Sequence, residues 1–223
     1  MIDIHTHILP QVDDGSDSID TSLYLLNQEI KEGINKVILT PHQNKQNLDK
    51  KGLIEKYNEF KEKVKDLPIE LYLGSEVYYY SGLKEDLKDG KILTLMDSKY
   101  FLVEFSTRIE YNIKDILYDF TVLGFKPIIA HIERYDYLSK EDYEEISKYA
   151  LIQVNASSFF NKNYKKICMY LLKNNLIDFI ASDCHDRFRD VSFTKTIKLI
   201  KKKNKELYEK ILKNEDIFQL NCT

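Results

Sequence analysis

The sequence predicts an α/β fold built on parallel strands, and three observations carry that expectation. Short β-branched apolar runs alternate with amphipathic helical stretches from end to end. Seven strand candidates are threaded with helices, and parallel neighbours need helical crossovers. No glycine-rich linker, internal repeat or low-complexity block divides the 223 residues. In order, Ile2–His7 reads as a strand and Ile19–Glu32 as a helix carrying Leu23, Leu25, Leu26 and Ile30 near one face. Lys36–Thr40 (KVILT) is the second strand, Leu48–Val64 a highly charged second helix, and Glu70–Ser75 the third strand. Tyr100–Glu104, Lys126–Ala130, Leu151–Asn155 and Asp178–Ser182 supply four more strands, with helices near Ile113–Leu123, Lys140–Tyr149 and Tyr164–Asn174. The Lys-rich segment Lys195–Lys210 reads as the solvated face of C-terminal helices. A closed β/α barrel and an open doubly wound sheet both satisfy the pattern. Neither G-x-G-x-x-G nor G-x-x-x-x-G-K follows any strand, so no dinucleotide or P-loop fingerprint argues for the open sheet.

Composition narrows the function. With 43% apolar and 31% charged residues the chain is globular, and its length favours one domain over residues 1–223. Lysine and arginine number 33 against 36 acidic residues, a formal charge of −3, so no basic field attracts nucleic acid. Cys168, Cys184 and Cys222 are few, odd in number and widely spaced, which is no disulfide framework, and no C-x-x-C pair suggests a thiolate zinc site. The start Met1-Ile2-Asp3-Ile4-His5 lacks the basic and long apolar regions of a signal peptide. No apolar run approaches the ~20 residues needed to span a bilayer. The expectation is a reduced, cytoplasmic protein with no membrane insertion.

All five histidines lie at the downstream ends of predicted strands. His5 and His7 close the first, His42 follows KVILT-P, His131 follows PIIA, and His185 follows IASDC. Glu76, Glu104 and Asp183 occupy the same kind of position. In parallel α/β folds those ends converge on one face, and that face carries the site. His5 and His7, two apart in a strand, point to the same side and suit two ligands on one cation. Imidazole with carboxylate and no thiolate suits manganese, zinc or iron. Cys184 should point the opposite way from Asp183 and His185, into packing.

These residues resemble the PHP (polymerase and histidinol phosphatase) superfamily. The matching blocks are Asp3-Ile4-His5-Thr6-His7, Thr40-Pro41-His42, Gly74-Ser75-Glu76, Ala130-His131 and Ser182-Asp183-Cys184-His185. More narrowly, the chain is similar to the bacterial manganese-dependent protein-tyrosine phosphatases of capsule and exopolysaccharide operons. The added signatures are Val12-Asp13-Asp14-Gly15, Glu76-Val77-Tyr78-Tyr79, Val103-Glu104-Phe105-Ser106, Ala130-His131-Ile132-Glu133-Arg134-Tyr135 and Gln153-Val154-Asn155-Ala156-Ser157. The resemblance runs from Met1 to about Asp190 and implies a distorted seven-stranded (β/α) barrel holding three divalent ions. It assigns His5, His7, Glu76 and Asp183 to the first ion. Glu76, shared, would bind the second with Glu104 and His131, and Asp14, His42 and His185 would bind the third. Asp13 stands beside Asp14, and the choice between them comes from the resemblance alone.

Such a cluster favours a phosphoryl dianion and water activated at neutral pH. Arg134, three residues beyond His131, should reach the same face and fit phosphate oxygens; the alternative is a surface pair with Glu133 or Asp136. A second family arginine is assigned to Arg189, with Arg187 the alternative. A phenol leaves readily because its pKa is ~10. The C-x5-R loop of cysteine phosphatases is missing: six beyond Cys184 is Asp190, and six beyond Cys168 is Asn174. The expected function is therefore hydrolysis of phosphotyrosine in a protein, with the resemblance implying the tail of a tyrosine kinase as partner. A histidinol-phosphate phosphatase and a non-catalytic metal-binding domain are the rivals.

Overall fold

A computed structural model describes residues 1–47 and 49–221, without the side chains of Glu215, Gln219, Leu220 and Asn221. Leu48, expected to open the second helix, and Cys222 lie outside the described residues. The first half runs β1 (Ile2–Thr6), α1 (Ile19–Lys31), β2 (Lys36–Leu39), β3 (His42–Gln43), α2 (Lys50–Lys63), β4 (Glu70–Leu73), β5 (Glu76–Tyr78) and α3 (Leu83–Lys88). The second half runs β6 (Tyr100–Glu104), α4 (Ile113–Val122), β7 (Lys126–Ile129), α5 (Lys140–Ile146), β8 (Leu151–Asn155), α6 (Lys165–Lys173), β9 (Phe179–Ala181), α7 (Phe193–Lys203) and α8 (Lys205–Lys213). Every strand pairing is parallel, as the strand–helix alternation requires.

The closed seven-stranded barrel is not what the hydrogen-bond ladders draw. Nine strands among the described residues form two unclosed sheets, in the orders β1-β2-β4 and β3-β5-β6-β7-β8-β9. The second and third expected strands each end early and are followed by a short strand that was not expected. Lys36–Thr40 stops at Leu39, because Pro41 has no N–H to give the ladder, and the chain resumes at His42. Glu70–Ser75 stops at Leu73 and resumes at Glu76, whose N–H reaches back to the Pro41 carbonyl at 3.2 Å. Across the gap, Thr40 takes over with its side chain, accepting the Thr6 N–H at 3.0 Å and donating to the Thr6 carbonyl at 3.1 Å. The edges of the two sheets meet where the His7 N–H donates to Cys184 O and the Asp183 N–H to His5 O, both at 2.9 Å.

Strand alternation sorts the core. Phe101, Val103, Ile129, Ile152, Val154 and Ile180 face the helices, alongside Leu25, Leu26, Leu117 and Leu171. Leu102, Ile128, Phe179 and Ala181 face the other way, with Ile2, Ile4 and Ile38, and pack around Phe218 from a C-terminal 3-10 turn. Each such Val, Leu, Ile or Phe side chain contributes about 1.5–3 kcal/mol when fully buried. This inner cluster floors the space in which the chemistry-bearing side chains gather. As expected, Cys184 is fully buried among the helix-facing residues, and Lys201, Lys202 and Lys203 line the exposed face of α7.

Candidate metal centre

The site begins with a defect in β1. Asp3 pairs with Val37 but Thr6 with Leu39, so β1 carries one residue more than its partner over that interval, a β-bulge. The Asp3 carboxylate closes it, accepting the His5 N–H at 3.1 Å and the Ser182 N–H at 3.0 Å. The bulge aims His5 at His7, and their Nε2 atoms stand 3.1 Å apart. At the other strand ends, His131 (φ 31°) and Asp183 (φ 52°) hold left-handed backbone, which costs about 1–3 kcal/mol each for non-glycine residues. Such strain recurs where side-chain placement matters.

Glu76 occupies the centre. Its Oε2 lies 3.2 Å from both His5 Nε2 and His7 Nε2 and 3.1 Å from His42 Nδ1, while Oε1 lies 3.0 Å from His131 Nε2. Asp183 Oδ1 is 3.5 Å from His5 Nε2 and 3.3 Å from His185 Nδ1. Glu104 reaches His131 Nε2 at 3.6 Å. On the outer side Asp14 stands 3.4 Å from His42 Nε2 and 3.8 Å from His185 Nε2, and the His185 ring stacks on His7 with centroids 3.9 Å apart. The structure thus brings His5, His7, Asp14, His42, Glu76, Glu104, His131, Asp183 and His185 into one connected cluster. Four groupings within it have ligand spacing: His7–Asp14–His42–His185, His5–His7–Asp183, His5–Glu76–His131 and His42–Glu76–Glu104. These overlap more than three separate ligand sets would, since His7 also joins the outer group and His42 also meets Glu76.

Arg134 pairs with Asp183 Oδ2 at 2.5 Å instead of with Glu133 or Asp136. Arg189 reaches the same oxygen at 2.9 Å and lies 2.8 Å from His185 Nδ1, whereas Arg187 sits over the Tyr24 ring, 5.2 Å from its centroid. Of the two arginines after the final motif, Arg189 is the one at the cluster.

Electrostatics follow from crowding acids and imidazoles in a dry space. Burial alone would raise Glu76, yet His5, His131 and His7 hold it well below the usual carboxylate range. Glu104, buried and beside Glu76, is pushed up to about 8. Burial and the neighbouring Arg134 lower His131 to about 4, and burial with His7 does the same for His185. His7 goes the other way, to about 10, because its bonds to Asp13 and Glu76 outweigh burial.

This arrangement fits divalent cations. Two imidazole Nε2 atoms face each other at 3.1 Å with carboxylates on either side, so nitrogen and oxygen donors converge on one point where a cation would be held. Oxygen and imidazole donors, without thiolate, match manganese, zinc or iron.

Three residues of the matching blocks received no role of their own from the sequence. Asp13 is one: its Oδ2 accepts His7 Nδ1–H at 2.7 Å and the His42 N–H at 3.0 Å, orienting both rings from behind. Gly15 is required in the same turn, since a Cβ there would stand 2.3 Å from His7 O. Gln153 and Asn155 are the others, bonded to His5 and Asp183 respectively. Their signal was available: two polar residues at alternate positions of an otherwise apolar strand, where a core-facing position should be apolar.

The comparisons with known proteins bear on this geometry. Tyrosine-protein phosphatase CpsB of Streptococcus pneumoniae is 34% identical over 205 residues, covering 83% of this chain and 83% of CpsB. A crystal structure from work on YwqE of Bacillus subtilis and CpsB of Streptococcus pneumoniae, described there as unique metal-dependent tyrosine phosphatases, superimposes with a TM-score of 0.90. Its identity is 28%, over 99% of this chain and 95% of that one. Histidinol phosphate phosphatase of Lactococcus lactis, bound to zinc, L-histidinol and phosphate, superimposes at a TM-score of 0.61 and 15% identity. That likeness covers 91% of this chain and 93% of that one, and is one of fold. The capsular polysaccharide synthesis family CpsB/CapC matches residues 1–219, a span that takes in every strand, all five histidines and both arginines of the cluster. The chain belongs to the CpsB/CapC family.

Proposed function

We propose that this chain is a metal-dependent protein-tyrosine phosphatase, hydrolysing phosphotyrosine on the tail of a tyrosine kinase that controls capsular polysaccharide synthesis. The observation that carries the reading is the meeting of five imidazoles and four carboxylates in one connected cluster, buried around Glu76 and open to solvent at Asp14, with two guanidiniums at its edge. His5, His7, Glu76 and Asp183 would hold one cation. Glu76, Glu104 and His131 would hold a second, and Asp14, His42 and His185 a third, manganese being preferred. When bound, such ions supply Lewis-acid charge for the phosphoryl group and make water nucleophilic at neutral pH.

The chain's own residues do the rest. Glu76 and Asp183, with both oxygens engaged, fix the imidazoles around one centre. Arg134 and Arg189 converge on Asp183 Oδ2, which holds two planar donor forks side by side at the mouth, suited to phosphate oxygens. The phenolic product, with a pKa of ~10, departs without a strong acid to protonate it. The two sheets work as one distorted seven-stranded barrel in a single domain, because β2 with β3, and β4 with β5, continue one another and the Thr6–Cys184 bridge links the outer edges. A cytoplasmic location goes with this reading, supported by the free buried thiols of Cys168 and Cys184. Among the described residues no helix is long and apolar enough to cross a membrane.

The test is to strip the purified protein with chelator, add back manganese, zinc or iron singly, and compare a phosphotyrosyl peptide with histidinol phosphate. Restored turnover of the peptide is expected; preference for the small molecule, or no turnover with any metal, overturns the proposal. His5→Ala and Asp183→Ala should each abolish the restored activity.

A further inference from the structure

β8 contributes no candidate ligand, yet two of its side chains run behind the cluster without exposure to solvent. Gln153, Asn155 and Glu133 are all buried. The hydrogen-bond directions along this layer are fixed by one atom. The His131 backbone N–H can only donate, so the Gln153 atom 2.7 Å from it must be the amide oxygen Oε1. His5 Nδ1 lies 3.2 Å from that same oxygen and must therefore be the proton-bearing nitrogen. In the neutral imidazole, the form that can bind a cation, the lone pair of His5 is then on Nε2, which faces His7, Glu76 and Asp183.

The same logic runs onward. With Oε1 assigned, Gln153 Nε2 is the donor to Asn155 Oδ1 at 2.8 Å, which leaves Asn155 Nδ2 as the donor to Asp183 Oδ2 at 2.8 Å. Asp183 Oδ2 is thereby engaged from behind, and Oδ1 is the oxygen turned to His5 and His185. Asn155 is itself anchored: its N–H donates to Glu133 Oε1 at 3.1 Å, which also accepts the Ser158 hydroxyl at 2.6 Å.

We infer that Gln153 and Asn155 form a directional relay, set by the His131 N–H, that locks His5 in its Nδ1–H tautomer and presents one chosen oxygen of Asp183. They are positioning residues, acting on metal affinity through His5 and Asp183. The inference rests on the reading of those two as ligands.

The experiment measures manganese binding to chelator-stripped protein by calorimetry, alongside the melting temperature. Gln153→Met and Asn155→Leu remove the amides at similar volume and should weaken manganese binding about 10- to 100-fold. Thr196→Val removes a buried hydroxyl bonded to the Ala156 carbonyl, outside the relay, and should lower the melting temperature while leaving affinity unchanged. Wild-type affinity in both relay variants, with binding lost in His5→Ala, overturns the relay alone; full binding in His5→Ala and Asp183→Ala overturns the ligand reading beneath it. The unmutated protein gives a second readout if the variants fail to fold. In the zinc-loaded, diamagnetic form, the imidazole nitrogen shifts of His5 should show the proton on Nδ1, and a proton on Nε2 refutes the inference.

Discussion

Asp13 and Asp14 are neighbours of identical chemistry, and replacing each by asparagine should give opposite results. The Asp13 side chain is 4% exposed and that of Asp14 73%. Asp13 accepts three donors, the Gly15 N–H on Oδ1 at 3.0 Å and His7 Nδ1–H and the His42 N–H on Oδ2. Asparagine keeps one acceptor oxygen, so in either amide orientation its NH2 group confronts a donor. Loss of a charge-assisted bond, at about 1.5–3 kcal/mol, adds to an orphaned buried donor, at about 1–3 kcal/mol, for a total of roughly 2.5–6 kcal/mol. At about 2–4 °C per kcal/mol for a domain of this size, Asp13→Asn should lower the melting temperature by roughly 5–24 °C. Asp14→Asn should stay within about 0.5 kcal/mol of wild type, as exposed substitutions do, and lose manganese affinity instead. Both are measured by thermal melting of chelator-stripped protein, so that bound metal does not contribute to stability. Equal destabilisation by the two variants, or an unchanged melt for Asp13→Asn, refutes the division of labour.

Arg134→Ala should weaken inhibition by inorganic phosphate about 10- to 100-fold, the value of one or two charge-assisted bonds, while elemental analysis finds the metal content unchanged. Cys184→Ser should retain most activity, since the thiol only donates to Glu29 Oε1 at 3.5 Å; a thiol-specific reagent that inactivated the native, metal-loaded enzyme would contradict this. Ser139 and Asp142 form a reciprocal cap on α5, and Ser139→Ala should cost about 1 kcal/mol in a denaturant melt at neutral pH. The hydrogen bonds from Ser139 hold Asp142 below its ordinary carboxylate value, so this contribution is present above about pH 4 and is lost as the pH falls further.

How much of this was legible beforehand differs by residue. Strands such as Tyr100–Glu104 and Leu151–Asn155 are found at the expected positions, because short apolar runs of about five residues between helical stretches are too brief for buried helices and fit buried parallel strands. His5, His7, His42, His131 and His185 were visible as a set since each closes a strand, a regularity of position independent of packing. The bulge between Asp3 and Thr6 was not visible, because register is a relation between two strands and neither sequence alone contains it. The short strands β3 and β5 were missed for the same reason: Pro41 announced a break, but not that pairing would resume one residue later. Asp13 could not be separated from Asp14, as only the folded turn shows which carboxylate lies under His7. Glu29 gave no signal, and Glu133 stood in a matching block only as a surface partner for Arg134. Each sits on a stretch that reads as solvated, yet each is buried with one carboxylate oxygen unpartnered, and burial raises both.

The seam between the two sheets joins the start of the chain to a point 178 residues later, where the Asp183 N–H meets the His5 carbonyl. During synthesis the leading segment emerges first and must wait, its pair of imidazoles without their counterpart, until almost the entire polypeptide has left the ribosome. Assembly of the complete set of imidazoles and carboxylates is therefore a late event in biogenesis. A nascent chain halted before Asp183 lacks the strand end that closes the seam and brings Asp183 and His185 to the cluster.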